Sequence, residues 1–215
     1  MAEQPGRAAE SSLTLQRALT LLQALADAPG ESLSISELAD AIGISRAAVY
    51  RLLDPLAHKD LIWRDGARVR LGLGLLLFAE RVLPQLRSAA IPALRDLAER
   101  LGATAHLSVL QGGEVTAVAT IEPSWTPYHV GYRVGTKHAP QLGAAGRALS
   151  LPANGPQWIV STGELQAGAC GVAAPLRGVP GLRASVGVVS LHELDADLIG
   201  PEVVKTAELI AAALR

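Results

Sequence analysis

The stretch Ser34–Leu56, SISELADAIGISRAAVYRLLDPL, decides how the rest of the chain is read. Ile35, Leu38, Ala39 and Ile42 recur at i, i+3, i+4 and i+7, the spacing of one apolar helix face. Ser34 with Glu37 three places on is a capping box, which marks where that helix starts. Gly43 can take the left-handed conformation that a helix stop prefers. Ser45 then caps a second helix whose apolar positions are Val49, Leu52, Leu53 and Leu56. Two short amphipathic helices across a glycine turn make a helix-turn-helix. The second helix leaves Arg46, Ala47, Tyr50 and Arg51 off its core face, near the end that meets base edges in such motifs.

A helical hairpin inside an enzyme would carry the same turn, so the following residues matter. Leu61-Ile62-Trp63-Arg64 and Arg68-Val69-Arg70-Leu71 are β-type runs joined around Asp65-Gly66, a hairpin signal. Helix, helix and hairpin in that order predict a winged helix-turn-helix that binds double-stranded DNA. Ser45, Arg46, Ala47, Tyr50 and Arg51 form its base-reading end. Arg64, Arg68 and Arg70 sit on the wing, suited to phosphate or the minor groove.

Charge agrees with that assignment. The 215 residues carry a net charge of −1, which argues against a polycation that coats nucleic acid. Between Ser45 and Arg70, however, six Lys/Arg stand against three Asp, a small local electrostatic footprint. The single cysteine, Cys170, can form no intramolecular disulfide. The polar N-terminus lacks the apolar core of a signal peptide, and the longest apolar run, Leu71–Ala79, is too short to span a bilayer. A cytoplasmic protein without membrane contact is expected.

Outward from the motif, residues 1–12 read as a disordered leader. Leu15, Leu19, Leu22 and Ala26 predict a first helix that packs beneath the helix-turn-helix and ends before Pro29-Gly30. The DNA-binding domain thus covers 13–72. Residues 73–87 predict a linker helix that is apolar nearly all round, with one stripe at Leu76, Ala79, Leu83 and Leu86 and another at Leu75, Phe78 and Val82. Burial on two sides points to a dimer seam, the alternative being that the helix packs against its own second domain, with Pro84 kinking or ending it.

A second domain, 88–215, opens with a helix over Pro92–Leu101. Strands are predicted at Thr104–Leu110, Glu114–Ile121, Tyr128–Val134, Cys170–Leu176 and Leu182–Leu191. A helix is expected over Leu142–Leu149, and another over Asp195–Leu214, interrupted near Gly200-Pro201. The class is α+β, ending in one antiparallel sheet flanked by helices.

This order of elements resembles the IclR family of bacterial transcriptional regulators over nearly the whole chain. SLTLQRALTLLQALAD is similar to the family's first helix, and SISELADAIGISRAAVYRLLDPLAHKDLI to its helix-turn-helix. WRDGARVRLG is similar to the wing, and PALRDLAERLGATAHLSVLQGGEV to the entry of the effector domain. GAAGRAL and GELQAGACGVAAPL match later segments, with Arg147 where the family carries lysine and PANGPQ where it has a longer helical stretch.

The resemblance implies a repressor or activator whose GAF-like C-terminal domain binds a small-molecule effector and assembles into a homodimer or dimer of dimers. It points to Leu142, Gly143, Ala144, Glu164, Gly171, Gly187 and Val189 as effector-binding positions. Small residues needed only for close packing would read the same way. The alternative is a regulator whose shortened C-terminal domain only oligomerises.

No catalytic residue, metal or cofactor is expected. The five histidines have no metal-ligand spacing, and His106, His129 and His138 could meet only in three dimensions. Cys170 has no nearby base in sequence, and the chain lacks a phosphate loop and a nucleophile elbow.

Overall fold

The computed structural model describes residues 5–126 and 130–215, with the side chains of the first helix described from Leu13 onward. The chain divides into two compact units, one ending at Val82 and the other beginning at Leu83.

In the first unit, α1 (Pro5–Asp27) is followed by β1 (Leu33–Ser34), α2 (Ile35–Ile42) and α3 (Arg46–Ala57). The wing is β2 (Ile62–Asp65) and β3 (Arg68–Leu71). The expected leader is therefore helical from Pro5, and residues 1–4 lie outside the described residues. The capping box forms in full: the Ser34 N–H donates to the Glu37 carboxylate at 2.6 Å and the Glu37 N–H donates to Ser34 Oγ at 3.2 Å. Gly43 closes α2 at φ 67, the left-handed turn that a side chain would strain.

Leu38, Leu53, Val49 and Leu21 are fully buried together, the common core of the three helices. The face of α1 differs from expectation. Leu21 and Leu25 point inward with Ala18 and Leu22, whereas Leu15 and Leu19 are more than half exposed. The 3.6-residue period gives α1 two candidate stripes, and packing on α3 selects the one through Leu21.

In the wing, Asp65 pairs with Arg68, so Gly66 and Ala67 form the two-residue loop, with Gly66 at φ 57. β1 adds a third strand against β3.

The linker helix and the helix expected over 92–101 are one element, α4 (Leu75–Leu101), with Pro84 and Pro92 inside it. Both prolines lie on exposed positions, as do Glu80 and Ser88 four residues before them. The carbonyls that lose a helical partner are thus on the solvated side, and the helix continues.

The second unit holds a six-stranded antiparallel sheet in the order β6-β5-β4-β9-β8-β7. The strands are β4 (Thr104–Gln111), β5 (Glu114–Ile121), β6 (Lys137–His138), β7 (Ile159–Thr162), β8 (Cys170–Leu176) and β9 (Ala184–Ser190). One face, with Leu107, Val109, Val172, Val186 and Val188, packs on Leu94 and Leu97 of α4 and on Val203 and Ile210 of α6 (Ala196–Ala213). The other face carries α5 (Gly143–Ala148), whose Ala144 and Ala148 meet Ala173 of β8.

Three expectations change here. Of the strand expected at 128–134, Tyr128 and His129 lie outside the described residues, and Val130–Val134 is not paired as a strand. The chain turns at Gly135 and pairs only at Lys137–His138 with β5. β7 was not expected. Finally, α6 runs uninterrupted through Gly200-Pro201, because Pro201 removes only a bond to the carbonyl of exposed Asp197. Trp158 lies against Gly200, where any Cβ would collide with the indole ring.

Candidate functional site

The polar surface of α3 is built by its burial pattern. Val49, Leu52, Leu53 and Leu56 hold the helix down, which turns Arg46, Ala47, Tyr50 and Arg51 outward. Ser45 Oγ accepts from the Ala48 N–H at 3.2 Å, so its side chain is committed to the helix cap. Among the described residues Arg46 and Arg51 make no ion pair or hydrogen bond through their side chains.

The wing arginines are held in three different ways. The Arg64 guanidinium lies 4.9 Å from the Tyr50 ring centroid, and its Nε donates to the Gly66 carbonyl at 2.7 Å. Arg70 stacks at 4.2 Å on Trp63, its cross-strand partner. Arg68 turns back toward α2, 3.7 Å from the Glu37 carboxylate and 3.3 Å from the Ser32 carbonyl. Arg64 therefore extends the surface of α3, whereas Arg68 reaches along the exposed side of the unit toward α2. Arg17 of α1 borders the same groove as Arg51 and Ala48, a cation that the helix-turn-helix pattern alone could not flag.

The second unit contains a cavity of about 210 Å³ on the α5 side of the sheet. Of the seven positions expected there, Ala144, Glu164, Gly171 and Val189 line it. Leu142, Gly143 and Gly187 do not. Leu142 is the exposed residue before α5, and the Gly143 N–H donates to the Glu164 carboxylate at 2.8 Å. Gly187 lies behind His106: a Cβ there would stand 2.8 Å from the imidazole and 2.8 Å from the Val172 carbonyl. Its smallness makes room for the imidazole packed against it.

The polar lining comes from residues the sequence reading passed over. Strand alternation puts Thr104, His106 and Ser108 of β4 on this face, all three buried. Ser108 Oγ lies 3.3 Å from both His106 Nδ1 and the Tyr132 hydroxyl, and that hydroxyl lies 3.2 Å from His138 Nε2. Burial, with His138 nearby, pushes the His106 pKa down to about 3, so the ring is neutral. Burial also raises the Tyr132 pKa, against the Ser108 hydrogen bond. Polar residues alternating with apolar ones in β4 were the available signal, but the pattern alone reads as a strand facing water.

Glu164 is itself engaged. Its carboxylate accepts from the Gly143 N–H and from Arg147 at 2.6 Å, while Ser161 Oγ accepts from the Ala144 N–H at 2.8 Å. Cys170 is half buried, with Thr162 Oγ1 at 3.5 Å across the β7–β8 pair. Among the described residues no group of three His, Cys, Asp or Glu could hold a metal ion. No helix among them is long and apolar enough to cross a membrane.

Residues 14–66 match the IclR helix-turn-helix domain, and solved IclR structures share the fold across both units. Residues 14–66 thus carry an IclR-type helix-turn-helix. The IclR of Thermotoga maritima is 21% identical with a TM-score of 0.53, the match covering 94% of this chain and 99% of that one. An IclR homologue of Microbacterium hydrocarbonoxydans, solved with 4-hydroxybenzoate, is 20% identical with a TM-score of 0.53 at the same coverage. The HTH-type transcriptional regulator Rv1719 of Mycobacterium tuberculosis is 32% identical over 111 residues, which span 51% of this chain and 42% of that regulator.

Proposed function

We propose that this protein is an IclR-family, sequence-specific DNA-binding transcriptional regulator of the cytoplasm, controlled by a small molecule held in the cavity of its second unit. The observation that carries the first half is the continuous surface formed by Arg46, Tyr50 and Arg51 of α3 with Arg64 of the wing stacked on Tyr50. Arg46 and Arg51 face outward with no protein partner, the state of a side chain available to guanine edges or phosphates. Arg46→Ala or Arg51→Ala should weaken operator binding by about 1–3 kcal/mol with loss of sequence preference. Unchanged operator affinity in both variants would remove α3 as the reading element.

The exposed apolar residues just before and at the start of α4, Leu73, Leu76, Leu77, Phe78 and Val82, support a homodimer, or a dimer of dimers, on an operator of two-fold symmetry. The domain layout follows the two units, with the operator bound by the first and the effector by the second.

The effector reading rests on the cavity and its buried polar lining, together with the 4-hydroxybenzoate bound by the Microbacterium hydrocarbonoxydans homologue. A C-terminal unit serving only for assembly would have no use for buried, neutral polar groups around a void. A ligand at a hundredfold its Kd stabilises by roughly 2.7 kcal/mol, so a thermal-shift screen finds it. The same ligand must change operator affinity by the factor by which operator changes its own. A screen in which nothing both stabilises the protein and alters operator binding would leave the assembly role standing.

A further inference from the structure

The outer wall of the cavity is made of two strips of chain that are fastened very differently. A residue that lines the cavity and is also exposed stands between the void and water. Gly131 and Lys137 do so on one side, and Glu164, Leu165 and Gln166 on the other.

The first strip is bolted to the sheet. Tyr132 is buried, its hydroxyl held between Ser108 and His138. The Gly135 N–H donates to the Ala117 carbonyl at 2.8 Å, and the Ala117 N–H donates to the Thr136 carbonyl at 3.0 Å. Lys137 pairs with Thr116 of β5, and its ammonium lies 3.3 Å from the Glu114 carboxylate.

The second strip has no such fastening. β7 and β8 stay paired as far as Thr162 and Cys170, and beyond them the chain loops out. The Gly163 N–H donates to the Ala169 carbonyl at 2.8 Å and the Ala169 N–H to the Gln166 carbonyl at 3.0 Å, both inside the loop. Among the described residues no backbone bond joins residues 164–168 to another element. Residues 163–168 are all exposed. Gly163 and Gly168, at φ 70 and 78, stand at the two ends, and a Cβ at either would meet nothing within 4 Å. These two glycines therefore serve the backbone turn rather than close packing. What holds the loop down is the Glu164 carboxylate, on the Gly143 N–H and Arg147, with Leu165 laid over Gly143.

We propose that residues 163–168 form the gate of the cavity, swinging on Gly163 and Gly168, and that Glu164 is its latch. The inference rests on the effector reading above and adds how that ligand enters and leaves. Opening breaks two charge-assisted bonds and one apolar contact while the paired strands stay intact, a local event far less costly than unfolding the unit.

A thiol inside the cavity reads the gate without any effector. Gly171 lines the cavity, and a Cβ there makes ordinary contacts, 3.4 Å from Ser161 Oγ and 3.5 Å from the Ala144 methyl, so Gly171→Cys fits. With Cys170→Ser in the same full chain, its reaction with methyl methanethiosulfonate is followed by mass. Labelling should be far slower than that of a free thiol, because it waits for opening. Glu164→Ala should speed it about tenfold or more, and Arg147→Met, which spares the Gly143 bond, about two- to fivefold. Glu114→Ala, which releases Lys137 on the opposite strip, should leave the rate unchanged. Melting curves identify the variants folded at the assay temperature, and Arg147→Met carries the test if Glu164→Ala is not among them. Labelling as fast as a free thiol, unmoved by the latch variants, or sped equally by Glu114→Ala would overturn the gate. Because no effector takes part, that outcome stands apart from the thermal-shift screen, which tests the effector reading itself.

Discussion

The Arg64 guanidinium of the wing stacks on the Tyr50 ring of the recognition helix, 4.9 Å from its centroid. The two residues come from the two elements proposed to meet DNA together, and the stack would fix their spacing before DNA arrives. Pre-positioning of this kind spares the ordering cost otherwise met on binding.

It follows that Tyr50→Ala and Arg64→Ala should not act additively. A double-mutant cycle on operator affinity should give a coupling of about 0.5–1 kcal/mol, the size of an exposed cation–π contact. Tyr50→Phe retains the ring and should keep most of the coupling. Strict additivity would mean that the stack plays no part in the bound state.

Acid should loosen the first unit through its capping box. The Glu37 pKa lies below the ordinary glutamate value, chiefly through the backbone hydrogen bond from Ser34, then its side chain, with Arg68 helping. A carboxyl depressed on folding adds stability above its unfolded pKa and loses it as pH falls through the folded one. Unfolding curves should therefore show a decline below about pH 4.5 that Glu37→Gln reduces. Ser34→Ala, which removes the cap itself, should cost about 0.5–2 kcal/mol at neutral pH.

Assembly should depend on the opening turns of α4. Leu76 and Phe78 are 59% and 62% exposed within the chain, so glutamate at both places burdens no core of the single protomer. Leu76→Glu with Phe78→Glu should yield a folded monomer, because two carboxylates cannot be buried in an apolar seam. Sedimentation of that variant checks it, and an undisturbed dimer would move the interface elsewhere.

Gly187→Ala should behave as a packing mutation. Its methyl would stand 2.8 Å from both the His106 ring and the Val172 carbonyl, and backbone yields little. A loss of about 1–3 kcal/mol in stability is expected. Thermal melts set against ligand affinity separate this from a residue that touches ligand, whose substitution would lower affinity more than stability.

How much of this was legible in the sequence depended on whether the signal was local. Ser34, Glu37, Gly43 and Ser45 carry their instructions within four residues, and the helices begin and end where those residues put them. The same holds for Asp65-Gly66 in the wing. Pro84 and Pro92 misled because a proline's effect depends on whether its orphaned carbonyl faces water, which requires the tertiary face to be known. The face of α1 and the short strand β7 were settled by neighbours distant in sequence. At the cavity, Ala144, Glu164, Gly171 and Val189 came from resemblance, but His106, Tyr132 and His138 did not. Their meeting depends on the turn at Gly135 bringing β6 beside β5, with Tyr132 then set between two imidazoles.

The Arg70–Trp63 stack in the wing has a practical side. Of the three tryptophans, Trp63 is the one in the first unit, while Trp125 and Trp158 belong to the second. The cation resting 4.2 Å above its ring makes its emission sensitive to anything that draws Arg70 toward a phosphate. The protein thus carries an intrinsic fluorophore at the edge proposed to meet DNA. With Trp125 and Trp158 replaced by phenylalanine, operator titrations can be followed by light from a single site, without a dye.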